Sequence, residues 1–186
     1  GVQRMVKKNA LVRKLPSVET LGSVSIICTD KTGTLTHNEM TVKKIWANSS
    51  VYEVSGAGYN PHGKFTLDGK QADAHSLSKL LKIGFLCNDA SLNKDGAKWE
   101  VIGDPTEAAL VVSAEKAGFI HEELKKQEKR VDEIPFSSAR KMMTTFHKVG
   151  KKTVAYTKGA PDIIIEKCDR IILNGKVQRM NRHLKS

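Results

Sequence analysis

Apolar residues change their spacing several times along this chain, and each change marks an element. Val2, Met5, Val6 and Ala10 fall on one face of a short basic helix; Pro16 predicts its end, with Ser17 capping a new turn beside Glu19 and Thr20. An apolar run, Val24, Ile26, Ile27 and Cys28, predicts a buried strand that ends on Asp30-Lys31-Thr32-Gly33-Thr34-Leu35-Thr36. Residues 40–47 and 51–54 read as strands, and residues 56–65 as a glycine-rich loop leading to an Asp68-Gly69 turn. Leu77, Leu80, Leu81, Gly84 and Phe85 recur at helical spacing and predict a helix over residues 73–88, after which Cys87-Asn88-Asp89 leads into a polar loop. Residues 98–102 alternate as a strand.

The second half is punctuated more sharply. Asp104 suits an N-cap, Pro105 the first helical position, and Glu107 the place where a capping box carries its acid, so a helix opens here and stops near Gly118. A highly charged helix covers residues 121–129, and residues 131–136 form a strand. Residues 142–149 and 153–158 pair across the Gly150-Lys151-Lys152 turn, and Pro161 opens a helix through Ile163, Ile164 and Ile165. Residues 170–173 and 176–180 flank Asn174-Gly175, the strongest short hairpin signal in the chain.

Composition narrows the class. At 186 residues and 39% hydrophobic content, the chain suits one substantial core, or a domain and part of another. No apolar stretch is long enough to span a bilayer, and the opening residues are too polar for a secretion signal, so the chain by itself reads as soluble. The formal net charge of +11 favours an anionic partner: nucleic acid, an anionic lipid surface or a ligand such as ATP. The basic residues are scattered in pairs such as Lys43-Lys44 and Lys151-Lys152, with no helix-turn-helix, zinc finger or aromatic-rich strand, which argues against nucleic acid. Cys28, Cys87 and Cys168 lie far apart in apolar contexts and read as reduced, buried thiols.

Two glycine motifs fail on inspection. Gly58 to Lys64 has the spacing of a P-loop, but Phe65 follows where a hydroxyl should meet Mg²⁺, and Pro61 replaces the third glycine of a dinucleotide fingerprint that Gly56 and Gly58 begin. The Asp30 heptapeptide carries more. A carboxylate at the carboxyl end of a strand can attack phosphorus, while the following amides and hydroxyls hold phosphate oxygens. An ordinary Asx turn is the competing reading.

That heptapeptide resembles the phosphorylation motif of P-type ATPases, ion pumps that form an aspartyl-phosphate from ATP. The resemblance implies that Asp30 accepts the phosphoryl group, Lys31 neutralises it, Thr32 lends its carbonyl to Mg²⁺ beside Asp30, and Thr34 binds phosphate oxygens. Further along, Glu107 in Asp-Pro-Thr-Glu, Phe136 in Pro-Phe-Ser-Ser-Ala-Arg-Lys, the Arg140-Lys141 pair, and Lys158 with Gly159 in Lys-Gly-Ala-Pro resemble the adenine-binding residues of the same pumps. By that likeness Glu107 takes the adenine amino group, Phe136 stacks on the ring, Arg140 and Lys141 face the phosphates, and Lys158 floors the pocket, with Gly159 allowing close approach. Singly, each has a plainer reading: a capping box for Glu107, core for Phe136, surface charge for Arg140 and Lys158.

The resemblance implies an α/β (α+β) fold: an antiparallel sheet flanked by helices over residues 37–186, the nucleotide-binding domain, preceded in residues 1–36 by a linker and the first strand of a haloacid-dehalogenase-like phosphorylation domain. Lys7 to Arg13 and Leu15 to Gly22 are most like calcium-transporting members. The implied cofactors are ATP and Mg²⁺; the implied partners are an actuator domain, the rest of the phosphorylation domain and membrane helices, on the cytosolic face of a membrane. Ser138 stands where such pumps often have arginine, and the Thr-Gly-Glu, Thr-Gly-Asp and Gly-Asp-Gly-x-Asn-Asp motifs are missing, so the chain alone is expected to bind nucleotide without turnover or transport. A catalytically silent nucleotide-binding module is the alternative. A haloacid-dehalogenase-type phosphatase would carry a second acid where Thr32 stands.

Overall fold

The computed structural model describes residues 2–96 and 98–181, with backbone alone for Leu15, Ser17 and His121, and it divides into two compact units, Gly1–Asn38 and Glu39–Ser186. In the first unit, helix α1 (Val2–Val6) buries none of its residues. Helix α2 (Leu15–Ser23) starts before Pro16, which occupies its first turn; there a missing N–H removes no helical hydrogen bond. Lys14 is the N-cap, so Ser17 lies inside the helix, and its side chain lies outside the described atoms.

The strand expected over Val24 to Cys28 does not form. That segment has no strand pairing and bends at Ser25, with Ile26 79% and Ile27 70% exposed. A buried strand needs ladder partners on its edges and apolar cover on its faces, and the described residues of this unit supply only two short helices.

The second unit is built on antiparallel pairings throughout. Strands β1 (Lys44–Ala47), β2 (Ser50–Val54), β3 (Phe65–Leu67) and β4 (Lys70–Gln71) form a four-stranded meander. Its inward positions, Ile45, Tyr52, Val54 and Phe65, are buried, and Trp46 points out. The two-residue turns Asn48-Ser49 and Asp68-Gly69 have positive φ at both positions, the geometry that matches strand twist. Asp73 caps a single 3-10 turn, Ala74–Leu77, that runs into helix α3 (Ser78–Leu86). Leu77, Leu81 and Phe85 make its buried stripe, and α3 packs against helix α4 (Pro105–Lys116) and against β9 (Lys152–Gly159). Ala108, Val111, Val112 and Ala114 of α4 are buried, while Leu110 meets Gly84 of α3.

Between those helices lies a hairpin of β5 (Ser91–Asp95) and β6 (Lys98–Ile102); β5 occupies what the sequence suggests is a polar loop. Helix α5 (His121–Gln127) precedes a three-stranded sheet of β7 (Lys129–Ser137), β8 (Met142–Val149) and β9. Helix α6 (Pro161–Lys167) and the hairpin β10 (Arg170–Leu173) and β11 (Lys176–Arg179) complete the described chain, Asn174 donating its amide to Asn48 Oδ1 at 2.9 Å. Among the described residues no helix is long and apolar enough to cross a membrane.

Candidate functional site

Three elements bring the predicted residues of the second unit together. Glu107 sits in the first turn of α4. Asp104 Oδ1 accepts from the amides of Thr106 (2.8 Å) and Glu107 (3.3 Å), and Pro105 follows the cap. Burial alone would raise the Asp104 carboxyl, but the Thr106 and Glu107 amides and the Lys158 charge outweigh it and hold it below the usual range. Glu107 does not reach back to close a capping box. Its Oε1 takes the Lys158 ammonium at 2.5 Å, and its Oε2 takes the Asp89 amide at 3.1 Å. The pair is mostly buried, with side-chain exposures of 20% for Lys158 and 18% for Glu107.

Lys158 is delivered by β9. In the register of the sheet, Met143 faces Lys158, and Met142 faces both Gly159 on β9 and Ser137 on β7. One row of residues therefore crosses three strands, about 10 Å at ordinary strand spacing, from the Lys158 side to the residue after Phe136. Gly159 is needed for that row: a Cβ there would stand 2.5 Å from Lys141 O and from Met142 Cβ. The closeness is thus to the neighbouring strand.

Phe136 is 61% exposed, at a register shift between Ile134 and Ser137. Pro135 has no N–H for the ladder, and the extra residue makes a bulge, a device that re-aims a side chain. Arg140 and Lys141 form the turn from β7 to β8; Lys141 has φ +53°, donates its amide to Ser137 O at 2.7 Å and accepts from Ala160 N at 2.9 Å. A flat exposed ring, a carboxylate–ammonium pair and a basic turn thus line one end of one sheet.

The Asp30 residues lie in the other unit. Asp30 Oδ1 accepts from the Thr32 amide at 3.2 Å, Thr36 Oγ1 donates to Lys31 O at 3.3 Å, and Gly33 holds φ +78°. Asp30, Lys31, Thr32 and Thr34 are all exposed on this turn.

Several supporting residues gave no sequence signal. Asn88, 8% exposed, donates through Nδ2 to Gly84 O (3.0 Å) and Glu107 O (2.9 Å) and accepts from Ala90 N (2.8 Å), locking the end of α3 to the start of α4. Beneath β9, Glu128 is 7% exposed and takes Lys82 Nζ and the Tyr156 hydroxyl, each at 2.6 Å. His147, 1% exposed, lies between Glu128 O and Thr145 Oγ1, both at 2.9 Å. Burial and then the Glu128 carboxylate push the Tyr156 phenol up to about 12. The bonds of Asn88 to Glu107, His147 to Glu128, and Glu128 to Tyr156 and Lys82 join residues 19 to 46 positions apart, which no local pattern announces.

This unit is a mixed α/β domain of antiparallel sheets with helices. The family model for the P-type ATPase cytoplasmic domain N matches residues 76–186. The chain belongs to that family. Over 190 residues it is 43% identical to a calcium-transporting ATPase of Bacillus subtilis, covering 100% of this chain and 21% of that protein. It is 46% identical over 182 residues to the cation-transporting ATPase pma1 of Synechocystis, covering 94% of this chain and 20% of that protein. With calcium-transporting ATPase 1 of Lactococcus lactis the figures are 41% over 186 residues, 100% of this chain and 19% of that protein. The chain thus spans about a fifth of the length of these relatives.

Proposed function

We propose that residues 37–186 hold the adenine nucleotide of a P-type cation pump and that residues 1–36 carry its phosphoryl acceptor. The observation that supports nucleotide binding most is the Glu107–Lys158 pair at 2.5 Å, at the same sheet end as the exposed Phe136 ring. Stacking of adenine on an exposed aromatic contributes ~1–3 kcal/mol. The Glu107 carboxylate accepts the adenine amino group, Lys158 and Gly159 close the pocket floor, and Arg140 and Lys141 attract the phosphates.

In the whole pump, an Asp30 oxygen attacks the γ-phosphorus in line; the new P–O bond forms as the bond to the β-phosphate oxygen breaks, and ADP leaves. Lys31 and Thr34 offset and bind the phosphoryl oxygens. Asp30 and the Thr32 carbonyl fit two of the oxygen ligands of Mg²⁺, an ion that takes one or two carboxylates beside phosphates. Among the described residues no group of three or more His, Cys, Asp and Glu could hold a metal, so these two would be part of a larger set. When bound, Mg²⁺ neutralises phosphate charge. The cation is calcium in this reading, which rests on the names of the Bacillus and Lactococcus relatives. The acyl-phosphate would drive transport through domains that this chain does not contain in its described residues.

Calorimetric titration of the chain with ATP tests the first half. Phe136→Ala and Lys158→Gln are expected to weaken binding at least tenfold, whereas Asp30→Asn leaves it unchanged. Equal binding by all four proteins would remove the site from this sheet. The chain is further expected to bind ATP without steady hydrolysis; turnover abolished by Asp30→Asn would contradict that.

A further inference from the structure

We propose that Arg130 is a positioning residue for the nucleotide site, acting as a strut between the wall that carries Glu107 and the strand that carries Phe136. This rests on the reading of Glu107 as the adenine-facing acid. Arg130 Nη1 donates to Asn88 O at 3.3 Å and to Asp89 Oδ1 at 2.7 Å, while Nη2 pairs with Glu133 Oε2 on β7. The Asn88–Asp89 segment is the one that grips Glu107: the Asn88 amide bonds its carbonyl and the Asp89 amide its carboxylate. The guanidinium therefore joins that segment to β7 three residues before Phe136.

The strand has a local reason to place Arg130 so. In a regular strand, residues three apart face opposite sides. The register of β7 on β8 shifts by one residue between Arg130 and Asp132, so Val131 is extra. That bulge resets the alternation and brings Arg130 and Glu133 to the same side. The planar guanidinium fork then serves two carboxylates in different directions, which an ammonium does poorly. Without it, the Asp89 and Glu133 carboxylates would lose the cation they share, and the grip on the Glu107 carboxylate would loosen. Pro135 donates no ladder bond, and beyond Ile134 the pairing of β7 with β8 resumes only at Ser137.

The test uses the 186-residue chain, with calorimetric titration of ATP and of GTP. GTP presents a carbonyl where adenine has its amino group, so a fixed Glu107 carboxylate discriminates between them. Arg130→Gln is expected to weaken ATP by about tenfold and GTP much less, collapsing the ATP/GTP ratio toward that of Glu107→Gln. In a Glu107→Gln background, Arg130→Gln should add little, because it acts through Glu107. Arg130→Lys should recover only part of the ratio. Equal loss for both nucleotides, additive effects of the two substitutions, or full rescue by lysine would each overturn the strut. If Arg130→Gln fails to fold, Asp89→Asn removes one arm at a side chain 58% exposed; an unaltered ratio there would overturn it as well. A Glu107→Gln protein with wild-type ATP/GTP discrimination would instead bring down the nucleotide reading itself.

Discussion

Tyr156→Phe separates one hydroxyl from everything else that its ring does. The ring lies 5.2 Å from that of His147 and 5.9 Å from the Lys82 ammonium, and phenylalanine keeps both contacts. What is lost is the hydrogen bond to Glu128 Oε2 at 2.6 Å, leaving a carboxylate 7% exposed with Lys82 as its remaining side-chain donor. A hydrogen bond to a charged group contributes ~1.5–3 kcal/mol. The phenol gives a second measure: raised from 10.0 to about 12 by burial, then by the bond to Glu128 and its charge, it corresponds to roughly 2–3 kcal/mol over the whole shift. Burial takes the largest part, so the loss on substitution should be about 1.5–2 kcal/mol near pH 7. The folded pKa lies above the unfolded one, so the folded phenol keeps its proton longer. Its contribution is complete below pH 10 and disappears as pH rises toward about 12. Urea unfolding of the pair followed by circular dichroism should therefore give a constant gap up to about pH 10 that closes above it. A difference titration near 295 nm should show the missing tyrosine as the late one. A gap below ~0.5 kcal/mol, or one that persists through pH 12, would refute the assignment of that hydroxyl to Glu128.

Gly159→Ala should destabilise the chain by about 1–3 kcal/mol, read as a lowered urea midpoint, because the new methyl meets Lys141 O and Met142 Cβ at 2.5 Å; a neutral result would mean that β8 and β9 can part. Asp104→Ala should remove about 1 kcal/mol of helix capping. Because the folded carboxyl is held low, that stabilisation is present above the unfolded value and is lost as pH falls through the folded one, so the deficit should shrink in acid unfolding titrations. Cys28 is exposed and Cys87 fully buried; a thiol reagent should label Cys28 at once and Cys87 only on unfolding, and protection of Cys28 would restore the buried strand expected from sequence.

What could be read in the sequence is what is decided locally. Asp104-Pro105 fixed the start of α4 because a cap and a missing N–H act within one turn. Asn174-Gly175 and Asp68-Gly69 marked hairpins because each residue adopts positive φ cheaply. Three readings failed, two of them where the outcome depends on neighbours. Val24 to Cys28 has the composition of a buried strand but no ladder partner among the described residues of its unit, so composition could not bury it. Ser91–Asp95 is polar and becomes a strand through its pairing with β6. Pro16 reads as a breaker, although the first turn of a helix accepts it. In the candidate site, motif order brought out Glu107, Phe136 and Lys158. Asn88, Arg130 and Glu128 escaped because each has a partner far off in sequence and, for Arg130, because a bulge changes which residues share a side.

Glu107 also shows how a site can be held rigid and still have capacity for a ligand. A carboxylate offers about four acceptor positions. The Lys158 ammonium engages Oε1 and the Asp89 amide engages Oε2, one on each oxygen. Those two bonds determine where the plane of the group lies, and about two lone pairs are left over. An amino group from a ligand can therefore be accepted without first breaking the ion pair, provided that it approaches from the open side. Had Glu107 closed a capping box with Asp104 instead, one oxygen would have turned back toward its own helix and the pair with Lys158 would have had to compete with it. The choice made by the fold, capping by Asp104 alone, leaves Glu107 free to be fixed by β9 and by the segment that Arg130 braces. Preorganisation of this kind reduces the ordering cost of binding, and it makes the selectivity between amino and carbonyl purines, more than the affinity itself, the quantity most sensitive to these supports.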